Sequence, residues 1–385
     1  MSMLTNHDQI ELTAFRRALH QYPELSGEEF ETAKKIKAEL EQLSPTKILS
    51  GLGGHGVAAV FDSGVAGSTV LFRAELDALP IEEQNDVDWS SVIAGKSHVC
   101  GHDGHMTMLL GLGRLISRTP VARGRIVLLF QPAEEDGSGA RAVVADPKFE
   151  ELRADWAFAI HNEPGRPFGH VSTRPGLINC ASLGLMITLS GKTAHAADPQ
   201  DGVSPMRVVA ELMPALEDLS NDGPLEDDFQ LVTVTHALLG EPTFGVAPGE
   251  ARIYATLRTT RDDHLDSLEA TARILATSMA EKHGLRVAFG VHDKFAASIN
   301  DAEAHAVAVA AMNAIGVKND DVGVPMRASE DFGVFGWEAK AAMLCLGPGE
   351  NHAALHNPDF DFPDDLIPIG CAIFERIARD LLGTA

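Results

Sequence analysis

The sequence predicts an α/β protein: a domain with a central mixed sheet, interrupted by an inserted α+β domain of ferredoxin-like topology. Three observations carry this. Short apolar runs, "VAAVF" (57–61), "TVLF" (69–72), "IVLLF" (126–130) and "WAFAI" (156–160), alternate with helical stretches and have the length of buried strands. From about residue 180 the pattern becomes β-α-β-β-α-β, a complete ferredoxin-like unit. The earlier pattern then resumes, in a chain of 385 residues that is too long for one ordinary core. The expected division is 1–179 with 294–385 for the discontinuous domain and 180–293 for the insertion.

The chain opens with an amphipathic helix, followed by "SGEEFETAKKIKAELEQL", where Ser26 and Glu29 have the spacing of a capping box for a second helix. The four apolar runs follow, each leading into polar residues at its carboxyl end: Arg73, Glu75 and Asp77; Gln131, Pro132, Glu134 and Glu135; His161. Open α/β sheets bind ligands at that rim. In the insertion, "LGLMITL" reads as a strand, and 203–219 as a helix that Pro214 should kink. "QLVTVTH" and "ARIYATLR" read as strands, the second turning Ala251, Ile253, Ala255 and Leu257 inward. A helix from about 262 stops at Gly284, and "LRVAFGV" is the last strand. A helix from about Asp301, the strand "AAMLCL" (341–346) and a closing helix complete the first domain, with "HNPDFDFPDD" just before that helix.

Lysine and arginine number 31 against 55 aspartates and glutamates, a net charge of −24. Nucleic acid and anionic membranes demand basic surfaces, so neither is an expected partner. No run of eighteen apolar residues occurs, and the amino-terminal segment has no apolar core of the signal-peptide kind. Cys100, Cys180, Cys345 and Cys371 are far apart and mostly in apolar settings, which suits buried thiols in a reducing compartment; the cytoplasm is expected.

"HVCGHDGHM" (98–106) concentrates three histidines, a cysteine and an aspartate. In an extended segment Cys100 and His102 would leave from one face and could meet one ion. A capped glycine turn or a Cys-His nucleophile pair are the alternatives for this stretch taken alone. "FQPAEEDGSGA" places two adjacent carboxylates at a strand end, which repel unless a cation lies beside them. Together Cys100, His102, Glu135, His161 and His356 supply one thiolate, one carboxylate and three imidazoles. That is too many for one tetrahedral ion and appropriate for two, and the donor mix suits zinc, manganese, cobalt or nickel. Asp77 fits a supporting role, accepting a ring N–H from a liganding histidine. Gly51-Leu-Gly53-Gly-His-Gly56 mimics a dinucleotide fingerprint, but a strand follows it instead of a helix, so it reads as a tight turn.

In order, "RAELDALP", "CGHDGHMTMLLG", "FQPAEE", "AIHNEP", "GKTAHAADP" and "HNPDFDF" resemble the dinuclear metallopeptidase and amidohydrolase family of hippurate hydrolases, N-acyl-amino-acid hydrolases and auxin-conjugate hydrolases. The resemblance runs nearly end to end. It implies a catalytic domain interrupted by a lid, two divalent ions per chain (Mn2+ or Zn2+, with Co2+ or Ni2+ compatible), and hydrolysis of an N-acyl amino acid. Cys100 becomes the bridging ligand, with His102, Glu135, His161 and His356 as further ligands. Glu134 becomes the general base that activates water, with Asp77 beside the centre. His195 would help hold the scissile carbonyl, in some members across a dimer, and Arg258 would meet a substrate carboxylate; a homodimer or a higher homo-oligomer is expected. Where relatives carry asparagine before "I-P", this chain has Gly245 in "TFGVAP". A dipeptidase, a non-catalytic metal-binding protein and a Cys100 thiol hydrolase are the rival readings.

Overall fold

The computed structural model describes residues 3–221 and 223–385. In chain order the elements are α1 (Asn6–His20), α2 (Phe30–Gln42), β1 (Lys47–Leu52), β2 (Gly56–Asp62), β3 (Thr69–Glu75), α3 (His102–Arg118), β4 (Arg125–Gln131), α4 (Gly139–Ala145), β5 (Trp156–Asn162), β6 (Val171–Ser172) and β7 (Gly176–Asn179). They continue with β8 (Ala181–Ser190), β9 (Ala194–His195), α5 (Met206–Glu217), β10 (Gln230–Leu239), β11 (Val246–Ala247), β12 (Glu250–Thr259), α6 (Asp262–Lys282) and β13 (Arg286–Phe295). The chain ends with β14 (Ser298–Asn300), α7 (Ala302–Ala314), β15 (Asn319–Asp320), β16 (Lys340–Leu346) and α8 (Ile367–Leu382).

Two compact units result: Met1–Ile178 with Ser298–Val324 and Asp331–Ala385, and Asn179–Ala297 with Pro325–Glu330. The first holds an eight-stranded mixed sheet in the order β1-β2-β4-β3-β5-β16-β6-β15. Its centre, β4-β3-β5-β16, is parallel. Parallel strands bring Glu75, Gln131 and Asn162 to one rim, at the carboxyl ends of β3, β4 and β5. These strands are nearly all buried, as strands covered on both faces are. α3 is buried along most of its length and packs closely on α8. Glycines allow that approach: a Cβ at Gly111 would strike the Cys371 sulfur, and one at Gly370 would strike the Met108 sulfur.

In the second unit β10-β12-β8-β13 form an antiparallel sheet, the strand order of a ferredoxin-like fold. Leu183, Leu185, Ile187 and Leu189 of β8 and Ala251, Ile253, Ala255 and Leu257 of β12 are buried, as period two requires, and α5 and α6 cover them. α5 runs on through Pro214.

One local expectation is corrected, and one is met in a setting that the sequence did not show. Ser26 and Glu29 form no capping box: α2 starts at Phe30, and both side chains turn instead toward the β3 and β4 rim. The capping box belongs to Thr5 and Asp8, ahead of α1. The Gly51–Gly56 segment is the turn of a β1–β2 hairpin, with Gly53 at φ +57° and Gly54 at φ +122°; β1 escaped notice because an exposed edge strand has no apolar run.

Candidate metal centre

Each donor is placed by the end of an element. Cys100 precedes α3 and His102 is its first residue, with Gly101 at φ +94° between them. The segment is therefore not extended as expected: a left-handed turn, not strand alternation, brings the two side chains together. Glu134 and Glu135 follow β4 after Pro132 and Ala133, the latter at φ +51°. His161 is the penultimate residue of β5. His356 has φ +64°, and its backbone N–H donates to Val99 O at 2.9 Å, which ties its loop beside Cys100. Non-glycine residues at positive φ are strained, and two of them flank this one cluster.

Donor atoms of Cys100, His102 and His161 lie within 4.8 Å of one another, and so do those of Cys100, Glu135 and His356. Cys100 thus belongs to both triples. Cys100 Sγ is 3.4 Å from His161 Nε2, and His356 Nε2 is 3.6 Å from Glu135 Oε2. His102 Nε2 is buried without a hydrogen bond, 3.8 Å from Glu135 and 3.9 Å from Glu134. The His102–carboxylate separations are too long for hydrogen bonds and are of the size that two ligands of one cation would show. The residues fit a pair of divalent ions.

The electrostatics register an excess of carboxylate charge around the donors. Burial and the carboxylates of Glu135 and Glu134 push the Cys100 thiol well above its usual range. A divalent cation reverses that, since a coordinated thiol is deprotonated. Burial opposes charge on His102, yet the Asp77 contact and the Glu75 and Glu135 charges push it up to about 10. Burial, then the neighbouring His105, holds His161 well below the usual imidazole range, which leaves it neutral and able to ligate.

Further residues support the donors. His102 Nδ1 is 2.9 Å from the Asp77 carbonyl oxygen and 3.5 Å from Asp77 Oδ1, so the main chain is the nearer acceptor. Asp77 Oδ2 accepts from Ser26 Oγ at 2.7 Å and from the Glu135 backbone N–H at 2.9 Å. Burial would raise the Asp77 pKa, but those bonds and His102 hold it below the ordinary value. Glu29 Oε1 accepts from the Ala133 N–H at 2.8 Å, bracing the turn ahead of Glu134. Buried Arg73 pairs with Glu75 and Asp331, and Gln131 bonds both Arg73 and Asp331. The sequence reading missed the roles of Ser26, Glu29, Gln131 and Asp331. Its only signal was polar residues at strand ends, where Arg73 and Glu75 also stood.

In the second unit His195 lies on β9, paired with Val246, and Ala196 N–H donates to Gly245 O at 3.1 Å. His195 Nδ1 accepts from the Ala197 N–H at 3.0 Å. Arg258 bonds Arg327 O and, at 2.6 Å, Ser329 Oγ, on the strand face opposite buried Leu257. A Cβ at Gly245 would meet nothing within 4 Å, so the missing asparagine is not excluded by packing.

A parallel-centred α/β unit that gathers one cysteine, three histidines and a glutamate at the carboxyl rim of its sheet defines the class: an α/β metallohydrolase with a two-ion centre. The chain belongs to peptidase family M20/M25/M40, whose model matches residues 71–380. It is 30% identical over 381 residues to IAA-amino acid hydrolase ILR1-like 5 of Arabidopsis thaliana, covering 96% of this chain and 86% of the relative. It is 26% identical to N-acetylcysteine deacetylase of Bacillus subtilis, covering 97% of each. Among solved structures, the YXEP protein of Bacillus subtilis, a dinuclear metal-binding peptidase of the M20 family, superposes with TM-score 0.81 at 25% identity, covering 99% of this chain and 100% of that one. Among the described residues no helix is long and apolar enough to cross a membrane.

Proposed function

We propose that this protein is a metal-dependent amidohydrolase that cleaves the amide of an N-acyl amino acid or a related conjugate. The observation that carries the reading is the membership of Cys100 in two donor triples, the first with His102 and His161 and the second with Glu135 and His356. The soft thiolate and three imidazoles favour Mn2+ or Zn2+ over magnesium or calcium. When bound, the ion pair supplies the Lewis acidity that makes water nucleophilic near neutral pH and polarises an amide carbonyl.

The remaining steps belong to the chain. Glu134, buried beside His102, takes the proton of the attacking water and returns it to the departing amine nitrogen. Because His195 Nδ1 accepts a backbone N–H, the neutral ring carries its proton on Nε2, a donor for the oxygen on which charge develops. Arg258 meets the α-carboxylate of the substrate, a contact that a bidentate guanidinium suits. Asp77 keeps Glu135 and His102 in place. The same reading takes the second unit as a lid and the protein as a homodimer. Leu238, Leu239 and Val246 stand exposed at and near the β10 edge of its sheet, a surface that pairing covers. Four buried free cysteines support a cytoplasmic setting.

A Cys100 nucleophile is disfavoured: two carboxylates face the thiol, whereas a reactive thiolate needs positive surroundings. The test is a hydrolysis screen of N-acetyl, N-benzoyl and indoleacetyl amino acids and of dipeptides, using stripped enzyme with manganese, zinc or cobalt restored. Metal-dependent release of the amino acid is expected. Full activity in stripped enzyme, or cleavage of dipeptides alone, would refute the assignment.

A further inference from the structure

Two of the three histidines in "HVCGHDGHM" are outside the donor set, and His105 has the more defined surroundings. It is buried on the first turn of α3, where Nδ1 stands 2.7 Å from Glu75 Oε2. Its Nε2 lies 3.1 Å from the Asn162 backbone nitrogen and 2.7 Å from the Asn162 side-chain amide. The carbonyl of that same Asn162 lies 2.6 Å from His161 Nδ1. A proton on His161 Nδ1 leaves Nε2 with the lone pair that faces Cys100. The His105 and His161 rings meet edge to face, with centroids 4.8 Å apart. On the other side, the Asn162 side chain fills the space where a Cβ on Gly101 would stand, against the turn that joins Cys100 to His102.

We propose that Glu75, His105 and Asn162 form a buried clamp that sets His161 against Cys100 and His102, which makes His105 a positioning residue for the metal centre. The clamp fixes three separate elements to one another: β3 through Glu75, α3 through His105 and β5 through Asn162. Arg73 and Asp331 anchor its far end. Glu75 and His105 do not form a third metal site with His102, although their donor atoms lie close, because the 2.7 Å contact between them leaves no place for an ion. The clamp rests on the reading of the centre as a metal site, so its test reads metal binding separately from turnover.

The experiment titrates stripped full-length protein with Co2+, following thiolate-to-cobalt and ligand-field absorption, with affinities from chelator competition. His105→Gln and Asn162→Ala are expected to weaken the ion at His161 about 10–100-fold and to shift the ligand-field bands. Cys371→Ala, a core change on α8, serves as a control that lowers Tm while leaving both readouts at their wild-type values. Glu75→Gln keeps the shape and removes the charge, and is read in the same way should the other variants fail to fold. Wild-type affinity and spectrum in every variant that folds would overturn the clamp. A wild-type protein that takes up no second ion would overturn the two-ion reading itself, and the clamp with it.

Discussion

Glu134 and Glu135 are neighbours in sequence, but their surroundings give them different work. Glu135 has its backbone N–H fixed by Asp77 and its carboxylate against His102 and His356. Glu134 stands farther back, with its carboxylate 3.9 Å from His102 Nε2 and no backbone tie to Asp77 of the kind that holds Glu135. Glu134→Gln is therefore expected to keep both ions, by elemental analysis, while kcat falls by about 10²–10⁴, the usual share of general acid–base catalysis. Normal metal content with undiminished turnover would refute the base assignment. Gly101 is a second single-residue test. A side chain there meets both a positive φ and the Asn162 side chain, so Gly101→Ala should cost about 1–3 kcal/mol and reduce bound metal. Denaturant unfolding of the stripped protein measures the first effect and metal analysis the second. A variant as stable as wild type would show that Asn162 can move aside.

At the scale of elements, α3 and α8 approach so closely that side-chain volume is decisive. A Cβ on Gly111 would overlap Cys371 Sγ, whose own position is fixed by a 3.1 Å contact with Met108 O. Gly111→Ala should destabilise by about 1–3 kcal/mol, as overpacking does, and a Cys371→Ala background should recover much of that loss. Additive effects of the two changes in urea melts would count against this contact. The same packing explains what the sequence disclosed. The buried strands β2, β3, β4, β5 and β16 were legible because double-sided burial writes itself as an apolar run, and the β8 to β13 unit because its patterns alternate in order. The residues that cluster as Cys100, His102, Glu135, His161 and His356 could be picked out because few residue types can ligate a metal. Ser26 and Glu29 were misread because a serine three residues before a glutamate suits a helix cap and equally suits bonds to Asp77 and Ala133, and only tertiary structure chooses. Asp331 reaches Arg73 from 258 residues away, and no local pattern encodes that pairing.

At the scale of the whole unit, distant segments are joined by a buried ionic cluster centred on His20. Its Nδ1 lies 2.8 Å from Asp103 Oδ2 and its Nε2 3.0 Å from Glu83, while Asp361 stands 3.9 Å from Nδ1. Buried Arg16 shares Asp103 and also bonds Asp361 and Asp364, and the His98 ring lies 6.4 Å from that of His20. Burial opposes the charge on His20, but Asp103 and Glu83 outweigh burial and the repulsion from Arg16, and push it up to about 9. The folded state therefore binds this proton more tightly than the unfolded chain, whose histidine titrates near 6.5. Stabilisation from the charged ring is complete below pH 6.5 and is lost as pH rises through 9. His20→Gln should accordingly lower Tm most at pH 6, with the difference from wild type shrinking steadily toward pH 9.5. Thermal melts at half-unit steps across that range make the measurement, with stripped protein used to keep metal binding out of the comparison. A wild-type-to-variant gap that stays constant with pH would mean that the ring binds its proton no more tightly in the folded protein than in the unfolded chain, and would overturn the charged-ring account.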